Sequence, residues 1–307
     1  MPYVALGPAG RESRLANAET RWRAILARRP DLEPAIRLQR QLLGLVIDLT
    51  DTIEHGRLPR LSLPAKYLAA KLNGGRPILA GEPIPLPVAH LRTTLLRLCD
   101  ELARGGAGAA AEHIKAAVDE GRMDAGSLLA ASLKRDQGAI RTGAVHRGLA
   151  PDLVWLVAEL AVSPFAYALQ RVLLAVPGEP ALQASLEGWA HGYCPLCGSW
   201  PALAEIRAQR RILRCSFCAL AWELRGARCV YCAREGESFV TSAVEGGPAA
   251  RRLEACDRCL GYLKTMDVAS LTPFPLIAIG DLETMEIDMA AMERGYRRPP
   301  LREFSVK

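Results

Sequence analysis

Apolar residues along the first two thirds of the chain recur at helical spacing. From Arg11 to Trp189 they return every three or four positions, and glycine-rich or proline-rich joints separate the periodic segments. This pattern predicts an all-α region. Its predicted helices are Glu12–Arg29, Asp31–Glu54, Leu63–Leu72, Val88–Arg104, Ala109–Glu120, Ser127–Gln137, Asp152–Val176 and Pro180–His191.

From Gly192 onward the helical period gives way to short strand-like runs. Apolar and polar side chains alternate in "ALAEIRAQRRI", as a half-buried strand requires, and similar runs are "ALAWEL", "SFVTSAV" and "AARRLEA". Beyond Lys264 a helical pattern returns in Asp281–Arg294. We expect the carboxylates of that helix, Asp281, Glu283, Glu286 and Asp288, to form a solvated face. The side chains expected to face inward are Leu282, Met285, Met289 and Met292, and this methionine-rich face could instead form a partner surface.

These patterns predict an α+β protein with an N-terminal all-α helical domain, two small rubredoxin-like or zinc-ribbon β modules and a C-terminal helix. The predicted limits are 1–187 for the helical domain, 188–227 for the first ribbon, 228–265 for the second ribbon and 266–307 for the C-terminal segment with one helix.

Composition is that of a globular protein with a buried core. Of the 307 residues, 50% are hydrophobic and 23% are charged. The N-terminal stretch lacks the basic and apolar regions of a secretory signal, so we expect a cytoplasmic protein. The most apolar stretch, Val154–Val176, contains Glu159 and Arg171, and we interpret it as a buried helix rather than a membrane span.

The nine cysteines are distributed unevenly. Cys99 stands alone on an apolar helical face and is interpreted as a small core residue. The other eight form four C-x-x-C pairs, which are Cys194/Cys197, Cys215/Cys218, Cys229/Cys232 and Cys256/Cys259. Pairs of this kind present two sulfurs to one point from a tight turn, and two pairs complete a tetrahedral metal site.

Spacing groups the four pairs into two sites. Residues 198–214 and 233–255 are long enough for a hairpin, whereas only residues 219–228 separate the second pair from the third. We therefore predict that Cys194, Cys197, Cys215 and Cys218 form one metal site, and that Cys229, Cys232, Cys256 and Cys259 form the other. Four thiolates suit either iron or zinc, and only iron permits one-electron transfer.

Other uses of the cysteines fit less well. A thioredoxin-like dithiol needs a strand-to-helix context, which the pairs lack, and disulfides need an oxidising compartment. With four cysteine ligands no coordination position is left for water or substrate, so hydrolytic catalysis is not expected. Scattered histidines and the lack of phosphate-binding or nucleophile motifs likewise predict a protein that is not an enzyme and has no small-molecule substrate.

Zinc ribbons also occur in nucleic-acid-binding proteins, but the charge pattern does not favour that use. Residues 192–262 contain ten arginines and seven acidic residues, and two metal-thiolate sites would remove this positive surplus. No basic stripe with interleaved aromatic residues is evident. Nucleic-acid binding is therefore kept as a lesser alternative.

Four stretches together resemble one known family. They are "YCPLCGSWP", "LRCSFCALAWELRGARCVYC", "ACDRCLGYLKTMD" and "DLETMEIDMAAMERGY", and they resemble the formate dehydrogenase accessory protein FdhE family. One departure is "GDLE" at Gly280–Glu283, where the family tends to have "DDLA". A role for two adjacent carboxylates is therefore not expected here.

The resemblance implies a cytoplasmic maturation factor that is not an enzyme, is rubredoxin-like and binds iron. It further implies binding to the catalytic subunit of formate dehydrogenase before export, which we expect to involve the two ribbons and a cleft beside the helical domain. Two hypotheses follow: an assembly chaperone, or a rubredoxin-like electron-transfer protein that acts in cofactor maturation.

Overall fold

The fold is described from a computed structural model that covers residues 3–4, 9–56, 61, 63–174, 179–243 and 251–304. The chain divides into two compact units. One comprises Ala9–Leu61 and Gly81–Val172, and the other comprises Met1–Pro8, Ser62–Ala80 and Leu173–Lys307. Each unit is discontinuous in sequence, whereas the limits expected from the sequence are continuous. Those limits, at 187, 227 and 265, therefore stay predictions.

The described helices are α1 Arg11–Arg28, α2 Glu33–His55, α3 Ala65–Asn73, α4 Val88–Leu102, α5 Gly108–Asp119, α6 Ala125–Leu133, α7 Gln137–His146, α8 Pro151–Leu173, α9 Pro180–Glu187, α10 Ile277–Glu283 and α11 Met285–Glu293. The described strands are β1 Tyr3–Val4, β2 Pro201–Arg207, β3 Arg210–Cys215, β4 Ala221–Glu223, β5 Phe239–Ala243, β6 Arg251–Cys256 and β7 Gly261–Asp267.

The first unit is a helical bundle made of α1, α2 and α4–α8. Six of its seven helices follow the apolar period, and α7 was not predicted because Gly138 and Gly143 weaken the pattern there. The side chain of Asp136 accepts a hydrogen bond from the backbone N–H of Ala139 at 2.9 Å and so starts α7 with an N-cap. A local capping signal therefore replaces the missing periodicity.

Helix α8 is the most apolar element of the helical unit. Among the described helices it alone is long and apolar enough to cross a membrane, and 72% of its most apolar window is buried inside the protein. This burial is typical of a core helix and is compatible with the expectation of no membrane span. The predicted end of this helix, Val176, lies outside the described residues.

A seven-stranded sheet forms the centre of the second unit, in the order β1-β4-β3-β2-β7-β6-β5. The strands of each predicted ribbon are antiparallel to one another, and the first ribbon contributes β4-β3-β2 while the second contributes β7-β6-β5. Strands β2 and β7 then pair in parallel, with Ala204 opposite Thr265 and Ile206 opposite Asp267. The two ribbons therefore repeat one three-strand arrangement and share a continuous sheet.

The strands that join the ribbons are buried because they lie in the middle of this sheet. In both β2 and β7 the first five residues are buried and the last one is exposed. The sequence-based prediction of an α+β fold with a helical N-terminal region and two ribbons is confirmed. The end of the predicted strand-like run "SFVTSAV", at Val244, lies outside the described residues.

The C-terminal helical segment is divided into two short helices, where the sequence predicted one. Thr284 breaks it, because its backbone leaves the helical region and its hydroxyl donates to the carbonyl oxygen of Gly280 at 2.7 Å. Met289 and Met292 are 49% and 58% exposed, so the inward orientation expected for them is wrong. Ile287 and Ala291 pack against the second ribbon in their place.

Candidate metal centres

Three of the four C-x-x-C pairs lie in tight turns that have the same two backbone hydrogen bonds. In the turn that begins at Cys194, the N–H of Gly198 donates to the Cys194 carbonyl at 2.9 Å, and the N–H of Cys194 donates to the carbonyl of Ser199 at 2.9 Å. The turns that begin at Cys215 and Cys229 repeat both bonds at the same spacing. A turn of this shape directs the two cysteine side chains of a pair toward one point.

The residue after the second cysteine adopts a left-handed backbone conformation in all four turns. The four residues are Gly198, Ala219, Ala233 and Leu260, with φ between 54° and 82°. Glycine is needed only at position 198, where a Cβ atom would lie 2.5 Å from the ring of Phe304. The other three positions accept the strain of a positive φ, which indicates that the turn geometry is strongly imposed.

The structure brings the eight cysteines together in the two groups of four expected from their spacing. The first cluster is Cys194, Cys197, Cys215 and Cys218, the second cluster is Cys229, Cys232, Cys256 and Cys259, and within each cluster the sulfur atoms lie within 4.8 Å of one another. In the first cluster the Sγ atom of Cys197 lies 3.4 Å from that of Cys215 and 3.7 Å from that of Cys218. In the second cluster the closest separations are 3.6 Å.

These separations fit a tetrahedral metal site. A metal–sulfur bond of about 2.3 Å places neighbouring sulfurs of a tetrahedron about 3.8 Å apart, close to the separations found here. A disulfide would need sulfurs about 2.05 Å apart, and all nine cysteines are free thiols. The eight residues therefore form two sets of ligands that can each hold one iron or zinc ion.

Burial opposes ionisation of these thiols when no cation compensates them. It raises the pKa of Cys194 and Cys218 well above the usual value, and it raises the pKa of Cys259 to about 11. Cys256 differs: burial also raises its pKa, but backbone N–H groups of Cys259 and Arg258 outweigh that effect, so its pKa is lowered. Metal binding must therefore displace protons from most of these ligands, and its affinity should fall at low pH.

A buried ion pair supports the first cluster. Arg214, directly before Cys215, pairs with Glu205 on the neighbouring strand, and both side chains are inaccessible to solvent. The guanidinium also donates to the carbonyl oxygens of Thr272, at 2.6 Å, and Ala219, at 3.3 Å. Glu205 in turn accepts the Thr272 N–H at 3.0 Å. The pair thereby ties the second turn of the cluster to the chain that follows β7.

A second buried network lies on the other ribbon and was not expected from the sequence. Lys264 of β7 is 1% exposed, and its Nζ atom lies 2.6 Å from carboxylate oxygens of both Asp281 and Asp288. Arg298 also pairs with both carboxylates, at 2.8 and 3.1 Å. The expectation of a solvated helix face is therefore wrong for Asp288, which is 18% exposed, whereas Asp281 is 42% exposed and keeps contact with solvent while it pairs with Lys264.

Five of the ten arginines in residues 192–262 pair with carboxylates. The pairs are Arg210–Glu223, Arg211–Glu254, Arg214–Glu205, Arg251–Glu286 and Arg252–Asp267. Each of these contacts offsets a positive charge that a nucleic-acid phosphate would otherwise attract. Trp222 of β4 is 2% exposed and so cannot stack on a base.

Cys99 is separate from both clusters, as its position on an apolar helical face suggested. It is 0% exposed in α4, and burial raises the pKa of its thiol to about 12. A protonated thiol in such a site acts as a small apolar side chain.

Comparisons with known proteins identify relatives that carry a common name. The chain is 35% identical over 107 residues to the protein FdhE homolog of Shewanella baltica strain OS185, a match that covers 34% of this chain and 35% of that protein. It is 34% identical over 110 residues to the FdhE homolog of Stutzerimonas stutzeri, and 29% identical over 116 residues to protein FdhE of Escherichia coli O127:H6. The matched region thus spans about a third of these relatives. No family model matches the chain.

A solved structure extends the similarity to the whole fold. The crystal structure of the FdhE protein from Pseudomonas aeruginosa aligns with a TM-score of 0.59 and 24% sequence identity, over 98% of this chain and 97% of that chain. At this identity the comparison establishes a shared fold.

Proposed function

Because the curated relatives and the solved structure support the FdhE family for this chain, we propose that it acts as an accessory protein for formate dehydrogenase. The observation that carries this proposal is the pair of four-cysteine clusters, which lie in a fold shared with an FdhE protein. The four cysteine-containing stretches of the sequence resemble the same family.

In this proposal each cluster binds one metal ion. Cys194, Cys197, Cys215 and Cys218 hold the first ion, and Cys229, Cys232, Cys256 and Cys259 hold the second. Iron is the ion that the family resemblance implies, and zinc is the alternative that the same thiolates accept. Elemental analysis of anaerobically purified protein should find two metal ions per chain, and a visible thiolate-to-iron absorption separates iron from zinc.

The proposed role is binding rather than catalysis. Four cysteine ligands complete a tetrahedral shell, so each ion would stabilise its ribbon and leave no position for a substrate. A ribbon held in this way presents a preorganised surface, which lowers the entropic cost of binding a partner. We propose that the partner is the catalytic subunit of formate dehydrogenase, bound in the cytoplasm before export.

Restoration of enzyme activity tests this role. Cells that lack their own accessory protein should regain formate dehydrogenase activity when they produce this chain, and the chain should retain the catalytic subunit in a pull-down. Cys194→Ser and Cys256→Ser should abolish both effects, whereas Cys99→Ala, which changes a cysteine outside the clusters, should preserve them. Full activity with either cluster variant would contradict the proposal.

The exposure of Cys232 favours a second candidate function, electron transfer to the partner. The exposed Cys232 side chain places one edge of the second cluster at the protein surface. A redox centre that exchanges electrons with a partner needs such an exposed edge. Replacement of iron by redox-inert zinc separates the two functions. A zinc-loaded chain that still activates the enzyme supports the binding role, while one that folds and binds but does not activate supports electron transfer.

A further inference from the structure

The two cysteine clusters differ in their access to solvent. In the first cluster every cysteine is buried, and the most accessible, Cys197, is 5% exposed. In the second cluster Cys229 and Cys256 are 2% and 0% exposed, but Cys259 is only partly buried and Cys232 is exposed. Nothing in the shared C-x-x-C turns explains this difference, because their backbone geometry is the same.

Distant segments of the chain cover the first cluster. The backbone N–H groups of Ile78 and Leu79 donate to the carbonyls of Pro195 and Leu196, at 2.9 and 2.8 Å, so this segment lies directly on the turn between Cys194 and Cys197. The ring of Phe304 packs on Tyr193 and on Gly198 at the same turn. An incoming reagent would have to displace both segments to reach the sulfurs.

The equivalent turn of the second cluster is covered over its two middle residues, where Gly192 lies against Val230 and the ring of Trp200 packs on Tyr231, but Cys232 at the end of the turn stays exposed. The C-terminal segment reaches this cluster at its other turn, where the N–H of Arg297 donates to the carbonyl of Leu260 at 2.8 Å. Residues 233–237, directly after Cys232, are all exposed. Ala233, Arg234, Glu235, Glu237 and Ser238 line an open depression of about 490 Å³. Cys232, itself exposed, directly precedes these residues, so a small molecule or a protruding side chain can approach it from solvent.

From this asymmetry we infer that the second cluster is an exchangeable metal site, which reacts with thiolate donors from outside the chain through the Cys232 position. An incoming thiolate would bond to the ion as the bond to Cys232 Sγ breaks, so the ion would keep four sulfur ligands and its oxidation state, and the displaced Cys232 sulfur would stay on the chain as the leaving group. The first cluster, closed to such attack, is structural. This inference depends on the proposed binding of one metal ion by each cluster.

Metal release from the protein loaded with two zinc ions tests the inference. With excess glutathione as the thiolate donor and a colorimetric zinc chelator as the reporter, we expect one zinc to leave at least about tenfold faster than the other, because release from the buried cluster needs local opening. Iodoacetamide applied to the same zinc-loaded protein should modify Cys232 before any other cysteine, as read by peptide mass mapping. The mapping uses the unaltered chain, so it does not depend on how a variant folds.

Two matched variants assign the phases of release. Cys232 and Cys197 are the second cysteines of equivalent turns, one in each cluster. Cys232→Ser should remove the fast phase and keep one slowly released zinc, whereas Cys197→Ser should remove the slow phase and keep the fast one. Equal release rates, or first alkylation at a cysteine of the first cluster, would overturn the inference. A protein that takes up no zinc or iron would instead refute the proposed metal binding, which is measured before glutathione is added.

Discussion

Loss of the buried charge of Glu205 should destabilise the protein more than loss of a partly exposed charge in the same ribbon. Glu205 and its partner Arg214 have no solvent-accessible side-chain surface. Glu205→Gln keeps the side-chain shape but leaves the Arg214 guanidinium without a counter-charge in a region that water does not reach. Removing one partner of a buried pair costs about 3–5 kcal/mol, and we expect a loss of this size in the free energy of unfolding.

The first ribbon offers a matched control in Glu223 of β4, which pairs with Arg210 of β3. The oxygen-to-nitrogen distance there is 2.5 Å, but the Arg210 side chain is 45% exposed. Exposed pairs contribute about 1 kcal/mol or less, so Glu223→Gln should have little effect. Burial is the main difference between the two pairs, since both bridge neighbouring strands of the first ribbon.

Guanidinium unfolding of the metal-loaded protein, followed by tryptophan fluorescence, provides the measurement. The double variant Glu205→Gln, Arg214→Met should be more stable than Glu205→Gln alone, because it no longer buries an uncompensated cation. Equal losses of unfolding free energy in Glu205→Gln and Glu223→Gln would refute the reasoning. A double variant whose loss equals the sum of the losses measured for Glu205→Gln and Arg214→Met separately would also refute it.

Further predictions concern metal content, the second buried network and pH. Cys194→Ser should lose one of the two metal ions and Cys99→Ala neither, by elemental analysis; full metal content in Cys194→Ser would disprove the assigned ligand set. Lys264→Met removes the buried partner of Asp281 and Asp288 but leaves Arg298 paired with both, so it should cost about 1–3 kcal/mol in denaturant unfolding; an unchanged midpoint would argue against it. The Cys99 thiol has its pKa raised from 9.0 to about 12. Its protonated form stabilises the fold below pH 9, and this contribution falls by roughly 1.4 kcal/mol per pH unit as the pH rises toward 12. Cys99→Ala should lack that fall when unfolding free energies are compared across the range, and parallel pH profiles would contradict the assignment.

Local sequence signals predicted the parts of this fold that depend on neighbouring residues. Most helices follow the apolar period, since one face of each must be buried. The spacing of the C-x-x-C pairs was sufficient to group the cysteines four by four, because a hairpin of fitting length brings two turns together. These features need no knowledge of distant segments.

Long-range features could not be predicted in the same way. The parallel pairing of β2 with β7 joins segments that are far apart in sequence, and no local pattern specifies it. In the tail, the period suggested that Met289 would be buried and Asp288 solvated, but Lys264 reverses this preference by offering a buried partner to the carboxylate. A lone lysine in a strand gives no sequence signal of such a partner.

The difference in solvent access between the two clusters also arises from contacts between distant segments. The four cysteine turns have closely similar backbones, and a comparison of their sequences alone would assign the same chemistry to both clusters. Exposure separates them, because Ile78, Leu79 and Phe304 lie on the first cluster while Cys232 of the second stays open. A repeated module can therefore keep one copy as a structural support and leave the other accessible for ligand exchange, without any change in the ligands themselves. If that division holds, removal of the Phe304 ring in Phe304→Ala should speed metal release from the first cluster and leave release from the second unchanged.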